Sequence, residues 1–310
     1  MEIVRDMMDR KDELQCEVVN QSNGTTLIDA GLDVPGGIEI GRLCAEACLG
    51  GLGAVRVTRM HVGDMTLPSV VIGTDQPKLA TLGSQHAGWE IKTGDYVAVC
   101  SGPARALGNA EKELFDKLEY KDDSRVGVLC LETSEPPPES VTQSIADSCG
   151  ISATDLYCIL APATSLAGCV LTSARVVDTG VYRLMTLGFK PAGIRTGHGI
   201  APIAPVKRDS DVAMGVTNDC LLYGGRAFFF VKADENEELD ALVNKASSSA
   251  SSLYGQPLYY ILKSVAFDFH KLDPALLGPA EITVNDITSG RTLKAGGLNP
   301  EVLRQSLAIG

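Results

Sequence analysis

Short apolar runs alternating with helical patterns constrain this chain more than any other feature. The stretches beginning at Tyr96 (YVAVC), at 126–131, at 156–160 and at 226–231 are rich in Val, Leu, Ile, Phe and Cys, and they read as buried strands. Hairpin signals are interspersed. Asn23-Gly24 separates EVVN from TTLID, Ser289-Gly290 separates 281–286 from 291–294, and 54–60 has a ready partner in 67–72. Strand–helix alternation favours parallel pairing, whereas hairpins favour antiparallel pairing. The two together predict an α/β fold with mixed sheets and helices rather than a doubly wound one.

The helical segments expected between the strands are 1–15, 38–49, 77–87, 139–149, 167–189, a helix through Met214, a polar helix over 234–252, and 299–307. The third of these opens with Thr74 or Asp75 as N-cap and Pro77 in its first turn. TGHGIAPIAPV at 196–206 reads as a Gly/Pro-rich turn region, and the Ser-rich segment 232–256 as the most linker-like stretch.

A net charge of −12 with no basic cluster argues against nucleic-acid binding, which needs grouped cations to meet phosphates. No apolar run approaches the roughly 18–20 residues that span a bilayer, and MEIVRDMMDRKDELQ lacks a signal-peptide core, so a cytoplasmic protein is expected. The nine cysteines are odd in number and sit mostly among apolar residues, as reduced thiols used for packing do. His61, His86, His198 and His270 form no HxH or HxxxH pattern, and no metal site is expected.

Chemistry-bearing residues gather on the segment 167–189. Apolar positions at Ala174, Val177, Val181 and Leu184 recur at steps of three and four, and Leu171 and Tyr182 extend the stripe. Arg175 and Asp178 lie three apart on the same face. Taken alone, such a pair is either an exposed ion pair or the wall of a site. Three small-residue turns add candidate backbone donors: SGPAR at 101–105, APATS at 161–165 and HGIAP at 198–202. Each also reads as a simple tight connection. Neither G-x-x-x-x-G-K-[ST], G-x-G-x-x-G nor G-x-S-x-G is present, which leaves nucleotide binding and a hydrolase elbow unsupported.

Seven blocks nevertheless fall in a specific order: NGTTLIDAG, GDYVAVCSGPARAL, LCLETSE, APATSLAG, SARVVDTGVYRL, GIAPIAPV and TNDCLLYGG. In order and spacing they resemble the methenyltetrahydromethanopterin cyclohydrolase family over essentially the whole chain. The resemblance implies a cytoplasmic homotrimer of archaeal one-carbon metabolism, methanogenesis or its reversal, with 1–310 as a single unit of two intertwined α/β parts and a cleft between them. It implies reversible hydrolysis of the methenyl to the N5-formyl form of tetrahydromethanopterin, with no cofactor beyond that carrier.

By the same resemblance Asp178 is the proton acceptor and donor, and Arg175 tunes and orients it. The family's Glu is Asp178 here, and its QKAGW block reads QHAGW, placing His86 where the family has Lys. The substrate contacts expected are Ser101, Gly102, Arg105, Thr164, Ser165, Asn218, Asp219 and Tyr182, with Asn218-Asp219 equally readable as a helix-end cap. A pterin-binding paralogue of the same fold, weakened by the two departures, is the alternative function.

Overall fold

A computed structural model describes residues 1–234, 238–268 and 271–308. His270 lies outside the described residues. The chain forms two compact units, each assembled from separate stretches: Met1–Gly53 with Leu79–Leu171, and Ala54–Lys78 with Thr172–Gly310. Each unit contains one six-stranded sheet, and the strands are numbered along the chain.

In the first unit, β1 (Glu17–Asn20) and β2 (Thr26–Asp29) form the expected hairpin, closed at Gly24 with φ 93°. The sheet continues through β8 (Leu156–Leu160), β7 (Gly127–Glu132), β6 (Tyr96–Ser101) and β5 (Trp89–Thr93). β2, β8 and β7 run parallel, while β6 and β5 are antiparallel additions, so the sheet is mixed. One core cluster gathers Leu27, Tyr96, Cys100, Leu129, Leu131, Ile145, Leu156 and Leu160. Ile145 comes from the helix Glu139–Cys149, which buries Val141, Ile145, Ala146 and Cys149 at helical spacing. The helix Ile38–Cys48 packs closely on Leu166–Ser173. A Cβ at Gly41 would lie 2.8 Å from Val170 Cβ and 2.9 Å from Ala167 Cα.

The second unit pairs β3 (Ala54–Val62) with β4 (Met65–Thr74), then β9 (Ile194–Pro202), β10 (Arg226–Val231), β11 (Glu281–Asp286) and β12 (Thr292–Gly296). Only β10 and β11 are parallel. The buried face of the sheet carries Ala227, Phe229, Val231, Ile282 and Val284, which alternate with half-buried or exposed partners in the period of a one-sided strand. Mixed α/β sheets are therefore the observed class.

Several local expectations are corrected. The segment 167–189 is not one helix. It divides into Leu166–Ser173 and Val176–Thr186, with the Arg175 amide bonding to Thr172 O at 3.0 Å in a tighter turn. The apolar stripe stays in phase across that single turn, so periodicity does not register the break.

HGIAP is not a bend but the body of β9. Its glycines mark a close approach: a Cβ at Gly197 would sit 2.8 Å from Val177 Cγ1, and one at Gly199 2.5 Å from Val176 Cγ1. The sequence TNDCLL lies inside the helix Ser210–Leu222.

The segment 232–256 is no linker, because Ser247, Ser248 and Ser251 are buried. Ser248 Oγ donates to Leu222 O at 2.5 Å and Ser251 Oγ to Asp273 Oδ2 at 2.7 Å. Of the polar helix expected over 234–252, the described residues form Leu239–Asn244 and a single 3₁₀ turn. Residues 235–237 of that expectation lie outside the described residues. The expected α-helix at 77–87 is a π-helix, Lys78–Gln85, whose wide turn is seen in the His86 amide bonding to Thr81 O at 3.0 Å.

Candidate active site

In the second unit, Arg175 is the N-cap of the helix Val176–Thr186, and Asp178 lies in its first turn. A carboxylate there is favoured by the exposed N–H groups and the helix dipole, whereas a cation at the N-cap is disfavoured by roughly 0.3–1 kcal/mol. Helix stability accounts for Asp178 but gives no reason for Arg175. Asp178 is only 4% exposed, which excludes the reading of an exposed ion pair. Tyr182, one turn further on, is half-buried.

Two close approaches seat this helix on the sheet. A Cβ at Gly180 would lie 2.7 Å from Phe229 Cε2, and Val176 and Val177 occupy the space that side chains on β9 would need. Ser173, just before the break, donates its hydroxyl to Pro202 O at 2.7 Å.

Asn218 and Asp219 occupy a different helix of the same unit. Asn218 Nδ2 donates to Met214 O at 2.9 Å, one turn back. Asp219 is fully buried. It accepts from the Leu258 amide at 3.0 and 3.1 Å and from Ser306 Oγ, so it caps the helix Leu258–Ser264 and ties down Pro300–Ala308. Burial pushes its carboxyl up to about 7 despite these donors. Of the two readings of this dipeptide, Asp219 takes the capping one, though for a neighbouring helix.

In the first unit, four of the expected residues converge. The half-buried His86 follows directly on the π-helix. The Gly102 amide donates to Ser84 O at 2.8 Å, and Ser84 Oγ donates to Cys48 O at 2.6 Å. The Cys48 thiol donates to Ser101 Oγ at 3.1 Å. Gly102 has φ 114°, and a Cβ there would lie 2.9 Å from Val128 O, so the close approach of β6 to β7 requires glycine.

Arg105 is turned inward with no exposed surface. It pairs with Glu111 and donates Nη1 to Leu82 O and Ser84 O at 3.2 and 3.0 Å. Its guanidinium thereby holds the backbone that leads into His86. Thr164 and Ser165 lie beyond the carboxyl end of β8. Ser165 Oγ accepts from the Gly168 amide at 3.0 Å and donates to Pro162 O, opening the helix Leu166–Ser173, while Thr164 is half-buried.

Ser84 and Glu111 escape a reading of the sequence. Glu111 lies in the charged run 111–125, where nothing in local pattern separates it from its neighbours. A hollow of about 420 Å³ in the second unit, lined by Asp64, Tyr254, Asn299, Pro300 and Arg304 among others, contains none of the expected residues.

Residues 1–307 match the family model described as Cyclohydrolase (MCH). The chain belongs to the cyclohydrolase (MCH) family. It is 41% identical over 310 residues to the methenyltetrahydromethanopterin cyclohydrolase of Methanocaldococcus jannaschii, covering 99% of this chain and 96% of that one. It is 40% identical to the protein of the same name from Methanothermobacter thermautotrophicus (99% of this chain, 97% of that one) and 38% identical to that of Methanococcoides burtonii (99% and 96%).

Membership in the cyclohydrolase family changes the weight of the Arg175–Asp178 pair. An Arg that the helix N-terminus disfavours, three residues before a buried carboxylate, lies in a chain whose relatives are named methenyltetrahydromethanopterin cyclohydrolase. Among the described residues no helix is long and apolar enough to cross a membrane.

Proposed function

We propose that this chain catalyses the reversible hydrolysis of N5,N10-methenyltetrahydromethanopterin to N5-formyltetrahydromethanopterin. The observation that carries the reading is the family match over 1–307, with relatives of that name at about 40% identity along nearly the full chain.

The methenyl carbon is already an amidinium-like electrophile, so the protein's task is to place a water and move its protons. Water adds to the carbon through oxygen and gives one proton to Asp178. The carbon–N10 bond then breaks with its electron pair going to N10, which takes the proton back from Asp178. The remaining hydroxyl proton leaves to solvent as the formyl C=O forms. One water is consumed, one proton is released, and nothing is oxidised or reduced. Arg175 orients the carboxylate and stabilises negative charge building on oxygen.

Two residues make this chain's version distinct. Asp178 is one methylene shorter than the Glu of the family block, a displacement of on the order of 1 Å at a reacting centre. His86 stands where the family block has Lys, so a ring that can donate and accept hydrogen bonds replaces an ammonium that only donates. The two changes compensate: the shorter carboxylate reaches through water, and the imidazole shares the proton transfer. Ser101, Gly102, Arg105, Thr164, Ser165, Asn218, Asp219 and Tyr182 are the proposed substrate contacts. A cytoplasmic homotrimer is the proposed working form, without a further cofactor.

The deciding experiment incubates the purified protein with the methenyl substrate near neutral pH and follows the methenyl absorbance. Loss of that absorbance with formation of the formyl product is the expected result. Binding without turnover would establish the weakened paralogue instead.

A further inference from the structure

The segment that presents His86 is clamped on both sides by one buried ion pair. Before the histidine, the carbonyls of Leu82 and Ser84 belong to the last turn of the π-helix, where no helical donor remains for them. Both accept from Nη1 of Arg105, at 3.2 and 3.0 Å. The opposite edge of the guanidinium pairs with Glu111, with Nε 3.1 Å from Oε2 and Nη2 on Oε1.

After the histidine, the same carboxylate lies against Gly88. A Cβ there would fall 1.7 Å from Glu111 Oε1 and 3.1 Å from His86 Cδ2. Position 88 therefore has no room for a side chain, because the Glu111 carboxylate and the His86 ring occupy that space. The Arg105 guanidinium also stacks 5.6 Å from the Phe115 ring centroid, one helical turn beyond Glu111.

Burial makes this pair consequential. Arg105 has no exposed surface, so its charge is compensated not by water but by Glu111, the carbonyl dipoles and the Phe115 ring. Removing the carboxylate leaves an uncompensated buried cation still bound to the two carbonyls that set the path of the chain into His86.

We propose that Glu111 is a positioning residue for His86, acting through Arg105 and through its contact with Gly88. The functional consequence rests on the role given to His86 above; the geometric one does not. Glu111 does not touch the reacting atoms. It holds residues 82–88 so that the imidazole is presented in one orientation.

The test uses the full-length protein with isotope-labelled histidine. Four histidines keep the spectrum simple, and the His86 ring signal is assigned by its loss in His86→Gln. Glu111→Gln is expected to displace the His86 signal while leaving those of His61 and His198 in place. It is expected to lower kcat by between about 10- and 100-fold with KM within about twofold of wild type. Glu111→Asp keeps the charge and is expected to restore part of both.

Arg105→Lys is the second variant, for the case in which Glu111→Gln fails to fold. A lysine cannot reach the carboxylate and both carbonyls at once, so it should displace the same signal. An unmoved His86 signal in the folded variants overturns the proposal, whatever happens to kcat. A displaced signal in a protein whose wild type does not turn over the methenyl substrate upholds the positioning role and removes the proposed activity.

Discussion

Gly180 and Phe229 meet with no space for a methyl group between them. A Cβ at Gly180 would lie 2.7 Å from both Cε2 and Cζ of a ring that is itself fully buried. This contact sets how deeply the helix bearing Asp178 sits on β10. Gly180→Ala gains about 1 kcal/mol of helix propensity but forces ring and helix apart, and overpacking of this kind costs about 1–3 kcal/mol. The variant is expected to unfold at lower urea concentration than wild type and to lose activity through displacement of Asp178. Urea midpoints and kcat measured on the same preparation check both.

Asp178→Asn keeps the shape of the side chain and removes its ability to take the water's proton. A fall in kcat of about 10²–10⁴-fold with little change in KM is expected, the size of a lost general base. A kcat within a few-fold of wild type would remove Asp178 from the chemistry.

Compensation between Asp178 and His86 predicts non-additivity. His86→Lys and Asp178→Glu should each lower kcat, while the double variant, with the family's pair of residues, should recover activity relative to the worse single variant. Additive losses in kcat across the pH–rate profiles would end the compensation idea.

Asp219 gives stability a pH dependence opposite to that of a paired surface carboxylate. Burial raises its native pKa to about 7, above the ordinary carboxyl value of 3.8, so the native state binds the proton more tightly than the unfolded chain does. The stabilising contribution is present in full below the unfolded value and is lost as pH rises through about 7. Asp219→Asn, which can still accept from the Leu258 amide and meet Ser306, should therefore gain on wild type as pH rises. Urea midpoints at pH 5, 7 and 9 measure the difference, and a gap that does not widen with pH contradicts it.

All nine cysteines are buried thiols, and desolvation raises the thiols of Cys149 and Cys100 to about 11 and about 12. A thiolate reagent at pH 8 should label almost none of them in the native protein and all nine in denaturant. Rapid native labelling of several would contradict their burial.

The sequence by itself determined the class of fold, because strand and helix periods are local. The hairpin at Asn23-Gly24, the helix Glu139–Cys149, the strands β8 and β10, and the β11–β12 hairpin are all legible in spacing and turn residues. It also determined the family, through seven ordered blocks, and with it the residues on which chemistry is expected.

Tertiary structure decided what local pattern does not encode. Glycines at 197 and 199 read as turn residues because a turn and a helix passing close over a strand both demand a missing Cβ. The Ser-rich stretch read as a linker because its hydroxyls find buried partners, Leu222 O and Asp273, far away in sequence. Arg105 and Asp219 likewise have partners that local pattern does not name: Glu111 and the carbonyls of Leu82 and Ser84 for the first, the Leu258 amide for the second. The break before Arg175 is of the same kind: an in-phase apolar stripe conceals it, and only the chain's path places a cation at a helix N-terminus one turn from a buried carboxylate.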